Sequence, residues 1–511
     1  FDLQGGELLL RPDLLFETLE AIRPERFYLY LTTNGYHLDE KMAKKLAKYQ
    51  VSRVSVSIDS MNEKVHDEIR GKKESWKRAI EGLKHVQNAV EYKFQNGEVP
   101  VRFTITHMDD SHYHCEFGLL EGVERSNPKE PQSIFQFTPR KIERAGAFNT
   151  VFIVPTGIGA EIGGHAGDAT PAARVLAAAS DTLITHPNVV NASDLNEMPE
   201  NTLYVEGSAL ARLMMGTVGL RPVRSNRVIM IMDAHEIEMF ANDTVNAVSA
   251  ARATYGLNCP KIIQLDPPLR MSAAFMESGR AAGEVNGLER VHAVLEENQH
   301  NFDAVAIASV IELDEETHET YFQRGGEMSN PWGGVEAMLT HALSMLFDVP
   351  TAHSPMLENH KVANLDLGLV EPRLAAEAVS LTFVQCMLKG LHRSPRIVTE
   401  QSAIHEANVF SAADISCLVL PDNCIGLPTL AALEQGIPVI AVRENANLMR
   451  NDLKTLPWAT NQFHAVDNYW EAVGVMTALK AGITPSSLRR PLAATHVEKK
   501  TFETAQANQK D

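Results

Sequence analysis

Short glycine-containing and polar sequences decide how the first part of this chain folds. GGE occupies residues 5–7, TTNG residues 32–35 and SVSIDS residues 55–60, each at the end of a strand-like segment, and HDEIRG follows at residues 66–71. Between and after these segments the spacing of apolar residues predicts helices at Asp13–Ile22, Asp39–Tyr49 and Ser75–Val90. Strands alternating with helices indicate a parallel sheet or barrel, in which functional residues follow the carboxyl ends of the strands.

These four sequences, in this order and spacing, resemble the radical S-adenosylmethionine (SAM) superfamily, in particular its branch that modifies peptides and sulfatases. The resemblance covers strands two to six of that family's partial barrel, with two further strands predicted at Val101–Thr106 and Ser133–Phe137. It implies that SAM is bound at its amino group by Gly5, Gly6 and Glu7. It also implies that the ribose and carboxylate of SAM face Ser57 and Asp59, and that the carboxylate pairs with Arg70.

The same resemblance implies a [4Fe–4S] cluster, which this family holds through three cysteines that lie before the GGE segment. No CxxxCxxC or CxxC group occurs in the sequence, whose five cysteines are Cys115, Cys259, Cys386, Cys417 and Cys424. The chain begins at Phe1 rather than at a methionine. We therefore expect it to be a fragment that is inactive as a radical-SAM enzyme, and we expect the scattered cysteines to be buried apolar residues.

Length and composition predict an acidic, multidomain globular protein. The 511 residues are 44% hydrophobic and 22% charged, and the formal net charge is −18. This charge argues against nucleic acid and anionic membranes as partners, and no segment is apolar enough to span a bilayer. We expect a cytoplasmic protein with a radical-SAM-like partial barrel at 1–147, a large α/β domain at 151–495 and a polar tail at 496–511; its oligomeric state stays open.

The second block opens with a strand, a glycine-rich loop and the start of a helix. The sequence VFIVPTGIGAEIGGHAGD at residues 151–168 leads into an alanine-rich helix at Pro171–Ala179. Backbone N–H groups of such a loop could bind a phosphate or carboxylate. A plain connection between strand and helix explains the pattern equally well. Further strands are predicted at Thr182–Thr185, Arg227–Met232, Lys261–Leu265, Ala304–Ala308, Ser416–Leu420 and Pro438–Val442.

Polar residues follow several of these strands and suggest a site in the second block. Histidines occur there near Asp, Asn or Glu residues, a pattern that could bind a divalent metal or act in acid–base catalysis. Glu206 and Glu377 lie in the same kind of sequence. The candidate catalytic residues are His165, Asp168, His186, Glu336, His341 and His353. Sequence separation alone does not place them together.

The second block is similar to the family catalogued as domain of unknown function 3326. The similarity is carried by PTGIGAEIGGHAGDATPAAR, THPNVVNASD, LYVEG, NPWGGVEAMLTHAL and TAHSP and covers nearly all of residues 151–450. It implies no reaction. The segment from Cys417 to Val442 also resembles the sugar-nucleotide half of two-lobed glycosyltransferases, in which a helix N-terminus meets a diphosphate. A βαβ crossover explains it as well, so the division of this α/β domain into two lobes stays open.

Two functions follow as hypotheses. In the first, a radical-SAM enzyme cleaves SAM reductively and abstracts hydrogen from a peptide or small metabolite, and the second domain handles that substrate. In the second, the barrel is vestigial, and the α/β domain is a metal- or phosphate-dependent enzyme or a ligand-binding protein. A third interpretation is that two unrelated reading frames have been joined. A CxxxCxxC group upstream of Phe1 would favour the first hypothesis.

Overall fold

A computed structural model of the chain describes residues 2–3, 7–22, 30–49, 51, 53–58, 60, 62–94, 98–109, 112–121, 134–190, 198–323, 327–380, 383–492 and 494–500. The predicted SAM-binding residues Gly5, Gly6 and Asp59 lie outside the described residues. Within the described part of the polar tail, residues 496–500 have no regular secondary structure. No helix among the described residues is both long enough and apolar enough to cross a membrane.

The described residues form twenty strands and seventeen α-helices. The strands are β1 (Asp2–Leu3), β2 (Tyr30–Thr33), β3 (Arg53–Val56), β4 (Glu98–Asp109), β5 (His112–Glu121), β6 (Asn149–Phe152), β7 (Thr182–Thr185), β8 (Thr202–Tyr204), β9 (Gly219–Arg221), β10 (Val228–Asp233), β11 (Ile262–Leu265), β12 (Arg270–Phe275), β13 (Ala281–Asn286), β14 (Ala304–Glu312), β15 (Thr351–Met356), β16 (Arg396–Val398), β17 (Ile415–Pro421), β18 (Ile425–Gly426), β19 (Val439–Val442) and β20 (Phe463–Val466). The helices are α1 (Pro12–Ile22), α2 (Glu40–Lys48), α3 (Glu63–Arg70), α4 (Ser75–Phe94), α5 (Thr170–Ala179), α6 (Pro187–Val190), α7 (Gly207–Met214), α8 (Glu238–Tyr255), α9 (Leu288–Glu297), α10 (Glu315–Gln323), α11 (Gly333–Phe347), α12 (His360–Ala363), α13 (Ala375–Val379), α14 (Phe383–Arg393), α15 (Gln401–Ile404), α16 (Leu427–Gln435) and α17 (Tyr469–Lys480).

The N-terminal region is the predicted parallel sheet with helices between its strands. β1, β2 and β3 pair in parallel, in that order. Helix α2 begins where the sequence predicts, because the side chain of Asp39 accepts a hydrogen bond from the Met42 N–H, and Asn62 caps α3 in the same way. Leu19 and Leu31 are fully buried between the sheet and its helices. The α/β fold class predicted for this region is confirmed.

The next two strands form a hairpin that packs on the second block. β4 pairs antiparallel with β5 and, on its other edge, with β18 near the far end of the chain. The Arg102 guanidinium donates to the carbonyl oxygens of Thr156 at 2.5 Å and Gly334 at 3.3 Å. The predicted strand at Val101–Thr106 therefore exists, but it runs antiparallel and does not extend the barrel sheet. The domain boundary near residue 147 stays a prediction, and the hairpin contacts favour an earlier one.

The strand predicted at Ser133–Phe137 is wrong over the described part of that segment. Residues 134–137 form a turn followed by irregular chain. Ile134 is buried, and Phe135 and Phe137 pack against the core of the second block without pairing to a strand. The apolar residues of this segment thus reflect burial, which alone does not distinguish a strand from a packed loop.

The second block contains two large sheets, so the large α/β domain is confirmed. One is fully parallel, with its strands in the order β20-β19-β17-β6-β7-β8. The chain forms β6, β7 and β8 first and adds β17, which pairs with β6, only after it has formed the other sheet. In the other sheet β11, β10, β14 and β15 are parallel, and the β12–β13 hairpin joins β14 at its end. All residues of β10 and β17 are buried, as expected for strands covered on both faces.

One buried ion pair gives a test of how the hairpin is attached. The carboxylate of Glu116 on β5 lies 2.5 Å from Nε of Arg280 and accepts from the Ser278 hydroxyl at 2.7 Å. Glu116→Gln would leave two buried guanidinium groups, those of Arg280 and Arg102, without an opposing charge. We expect this substitution to lower the free energy of unfolding of the second block by about 3 kcal/mol, measured by chemical denaturation.

The control is Lys44→Gln, which removes an exposed ion pair with Glu40 on α2 and should change stability little. A Glu116→Gln protein that unfolds at the same denaturant concentration as this control would contradict the attachment of the hairpin to the second block.

Candidate functional site

A cavity of about 660 Å³ lies at the carboxyl ends of both sheets, a size typical of small-molecule sites. This is where open α/β sheets commonly bind ligands. It is lined by five of the six candidate residues predicted for the second block, His165, His186, Glu336, His341 and His353. The sixth, Asp168, lies in the glycine-rich loop that forms part of the wall. The structure therefore brings together residues that are separated by nearly 190 positions in the sequence.

The first group in the cavity is built around Glu206, which follows β8. Its carboxylate caps α7 by accepting from the N–H groups of Ser208 and Ala209, and Nδ1 of His341 lies 2.5 Å from its Oε1. Burial would raise the pKa of Glu206, but the charge of His341 and the hydrogen bonds from His341 and Ser208 lower it to about 2. Glu206 is therefore ionised at neutral pH.

His186, which directly follows β7, lies beside this pair and is neutral. Its Nε2 accepts a hydrogen bond from the N–H of Val154 at 3.2 Å. Burial lowers the pKa of His186 to about 4, and the nearby His341 adds to this effect. The Nδ1 atom therefore carries the ring proton at neutral pH.

The second group links Glu336 on α11, His353 on β15 and Ser309 on β14. His353 Nδ1 lies 2.9 Å from Glu336 Oε1, and His353 Nε2 lies 2.8 Å from the Ser309 hydroxyl. This order of acid, histidine and hydroxyl is that of a nucleophilic triad. Ser309 is fully buried, however, and is not part of the cavity wall. The hydroxyl therefore orients His353, and the Glu336 side chain, 28% exposed, is the most accessible of the three.

The third group joins Glu377, Tyr321 and His165. Glu377 accepts from the Tyr321 hydroxyl at 2.7 Å, from the Ala166 N–H at 2.7 Å and from the Asn330 side-chain amide at 3.0 Å. Although part of Glu377 is exposed, protein surrounds its carboxylate, and this burial raises its pKa to about 7. His165 Nδ1 lies 2.8 Å from the same Tyr321 hydroxyl, and burial lowers the pKa of His165 to about 4.

The glycine-rich loop binds internal carboxylates in the place of an external anion. The N–H groups of Gly163 and His165 donate to Asp168, at 2.9 and 3.4 Å, and the N–H of Ala166 donates to Glu377. Burial raises the pKa of Asp168 to about 6 despite these bonds. The hypothesis that these N–H groups form a phosphate cradle is therefore not supported.

The helix start that resembles a sugar-nucleotide site lies beside the hairpin and lines a small cavity with it. Ile425 and Gly426, which precede α16, pair with Ile105 and Thr104 of β4.

In the N-terminal region, the described candidates Glu7, Ser57 and Arg70 lie near the carboxyl ends of β1, β2 and β3. The Glu7 carboxylate accepts from the Thr33 hydroxyl at 2.6 Å and from the Asn34 N–H at 2.7 Å, so it joins the end of β1 to the TTNG loop. The Arg70 guanidinium lies 3.4 Å from the carbonyl oxygen of Ser57. Their roles toward SAM stay predictions.

The described residues do not fit an iron–sulfur cluster or a metal site. Four of the five cysteines are buried separately in the second block, and Cys115 lies on β5. Within the described ranges, no three His, Cys, Asp or Glu side chains are grouped so that they could hold a metal ion. The divalent metal predicted for the second block thus has no support.

Comparison with known families assigns both parts of the chain. The family described as protein of unknown function (DUF3326) matches residues 149–489. The chain belongs to this family. Residues 1–96 match the radical SAM superfamily, which implies SAM and a [4Fe–4S] cluster as its cofactors. We refer to residues 149–489 as the DUF3326 domain.

Individual relatives agree with this division. An uncharacterized lipoprotein of Synechococcus sp. is 34% identical over 344 residues, which is 67% of this chain and 93% of the relative. AdoMet-dependent heme synthase of Methanosarcina barkeri is 30% identical over 31% of this chain and 38% of its own length. GTP 3',8-cyclase of Rippkaea orientalis is 38% identical over 18% of this chain and 28% of its own length. The chain thus spans well under half of these two radical-SAM relatives. No solved structure matches.

The six candidates do not include Glu206, Glu377 or Tyr321 of the DUF3326 site, although the polar residues noted from the sequence include the two glutamates. Glu206 could have been found, because it lies between a strand and a helix and is an N-cap for that helix. The sequence around Glu377 gives a weaker indication, since its role depends on its contact with the glycine-rich loop at Ala166, which is distant in sequence. The sequence gives no indication for Tyr321, because a buried tyrosine on a helix has the pattern of a core residue. Only the structure shows that its hydroxyl lies between His165 and Glu377.

The raised pKa of Glu377 predicts a pH dependence of stability. Its folded pKa of about 7 lies above the ordinary value of 4.5, so the folded DUF3326 domain binds this proton more tightly than the unfolded chain. Glu377 therefore contributes stability that is present below about pH 4.5 and is lost as the pH rises through about 7. Between about pH 5 and pH 8, wild type should lose about 2–3 kcal/mol relative to Glu377→Gln.

Denaturant unfolding of both proteins across this pH range measures the effect. The control is Glu289→Gln, which changes a side chain that is 77% exposed on α9. A difference between wild type and Glu377→Gln that does not vary with pH would contradict the raised pKa.

Proposed function

We propose that this protein joins a radical-SAM-type domain to a DUF3326 domain that performs acid–base chemistry on a small polar metabolite. The observation that carries the proposal is that one cavity holds two carboxylates in different surroundings. Glu206 lies against the His341 ring, which lowers its pKa to about 2, and Glu377 is enclosed by protein, which raises its pKa to about 7. Enzymes commonly use such pairs, with one group fixed as a charge and the other able to exchange a proton near neutral pH.

The roles of the individual residues follow from their contacts. Glu377 can hold or release a proton near neutral pH, and the Tyr321 hydroxyl and Asn330 amide hold its carboxylate in one orientation. Glu206 stays ionised and orients His341 at the cavity wall. Glu336, backed by His353, gives a second carboxylate that can accept a proton or bind a polar group.

The N-terminal domain has a separate place in this proposal. Bound SAM and a [4Fe–4S] cluster would supply reductive SAM cleavage and hydrogen abstraction from a peptide or small metabolite. Since the described residues do not fit the cluster, we assign that chemistry no step in this chain. We infer that the DUF3326 domain handles the same class of substrate, and the hairpin of β4 and β5, which follows the radical-SAM-type region and packs on the DUF3326 domain, supports this link.

Turnover of metabolites tests the acid–base proposal directly. The full chain is incubated with a small-molecule extract of the cells in which it is made, and mass spectrometry follows the loss of any compound and the gain of a product. We expect wild type and Glu289→Gln to convert the same compound, and Glu377→Gln to do so at least about 100-fold more slowly, as is usual when a general acid or base is removed.

The competing function is binding without chemistry. A compound that is retained by wild type and recovered unchanged, with no product in any sample, would contradict the enzymatic proposal and favour a ligand-binding protein.

A further inference from the structure

We propose that the ligand of the DUF3326 cavity is a small cation, a molecule with an ammonium or guanidinium group. This inference rests on the proposed function of the same cavity and names the class of molecule that it takes. Three observations support it. The cavity wall is acidic, several nearby backbone N–H groups already donate to oxygens of the protein, and a buried hydroxyl on the wall has no hydrogen-bond partner.

The wall of the cavity is strongly acidic. It contains no Lys or Arg among its described residues and five acidic ones, Glu206, Asp243, Glu336, Glu358 and Glu377. Burial lowers the pKa of three of its five histidines, which are therefore neutral at pH 7, namely His165, His186 and His318. The other two histidines each contact one of the carboxylates, His341 with Glu206 and His353 with Glu336. A cation would lower this excess of negative charge, and an anion would increase it.

Several backbone N–H groups near the cavity are already used by internal oxygens. Asp168 and Glu377 accept from the glycine-rich loop, and Glu206 accepts from the first turn of α7. At the start of α11, the side-chain oxygen of Asn330 accepts from the N–H groups of Trp332 and Gly333, at 3.0 and 3.3 Å. These are the groups that bind phosphate or carboxylate in many α/β proteins. An anionic ligand would have to displace an internal carboxylate or amide.

The Ser354 hydroxyl is a buried polar group on the wall that lacks a hydrogen-bond partner. Ser354 on β15 lines the cavity, is 1% exposed, and its hydroxyl oxygen makes no hydrogen bond within the described structure. A buried hydroxyl without a partner is costly, so a ligand group is expected to complete it. Its oxygen can accept from an ammonium or guanidinium N–H, as can the partly exposed carboxylate of Glu336.

An aromatic side chain on the same wall is compatible with a cation. Trp332 lines the cavity, and its ring is held by edge contacts with His318 and Tyr321, at centroid distances of 5.4 and 5.2 Å. The face of an indole ring attracts ammonium and guanidinium groups, which adds to the effect of the carboxylates.

Matched probes of one size test the charge of the ligand. Butylamine and butylguanidine are the cations, butyrate is the anion and butan-1-ol is the neutral probe, and binding to the full chain is measured by calorimetry and by the shift of the thermal midpoint. We expect both cations to bind and butyrate not to bind. Glu336→Gln should weaken cation binding at least about tenfold, since it removes the negative charge of a carboxylate proposed to accept a hydrogen bond from the cation.

Two further variants keep the test informative. Ser354→Ala should weaken cation binding without removing a charge, and it replaces Glu336→Gln if that protein does not fold. Glu289→Gln should bind the cations as wild type does. Binding of butyrate as strong as that of butylamine, an absence of cation binding, or cation binding unchanged in both cavity variants would overturn the proposal.

The outcome separates this inference from the proposed function. Conversion of an uncharged or anionic metabolite, with no cation binding, would leave the acid–base function in place and overturn the ligand class. Cation binding that depends on Glu336, with no metabolite converted, would leave the ligand class in place and overturn the acid–base function.

Discussion

The glycine-rich loop after β6 lies beside the cavity, and its backbone N–H groups need hydrogen-bond acceptors from within the protein. Asp168 and Glu377 accept from Gly163, His165 and Ala166, and this gives three N–H groups of the loop an acceptor. The same bonds place the Glu377 carboxylate on the wall and the Asp168 carboxylate within the loop, where burial raises the pKa of both. The stability of the loop and the acid–base character of the cavity thus have one cause.

Two glycines allow the remaining groups to approach closely. A Cβ atom on Gly207 would lie 2.8 Å from the His341 ring, and one on Gly333 would lie 2.7 Å from the Thr156 side chain. Helices α7 and α11 can therefore begin at the cavity wall, where Glu206 caps α7 and Asn330 accepts from the N–H groups at the start of α11. The cavity lies where the parallel strands of both sheets end, and side-chain oxygens accept from N–H groups at both helix starts.

The sequence predicts the alternation of strands and helices in the N-terminal region and seven of the fifteen described strands of the DUF3326 domain, since buried parallel strands are continuous apolar runs bounded by turns. It also identifies His186, His341 and His353 as members of a site. It could not reveal that Asp168 binds its own loop, because a glycine-rich loop has the same sequence whether an internal carboxylate or a phosphate accepts from it. The contact of the β4–β5 hairpin with β18 joins residues more than 300 positions apart and leaves no local signal.

A crystal structure of the full chain grown in inorganic phosphate tests the central claim most directly. If internal carboxylates occupy the N–H groups of the cavity, the electron density will show Asp168 and Glu377 bound to the loop of residues 163–166, with no phosphate at the loop or at the start of α11. A phosphate ion at either place, with Asp168 or Glu377 turned away, would contradict the account.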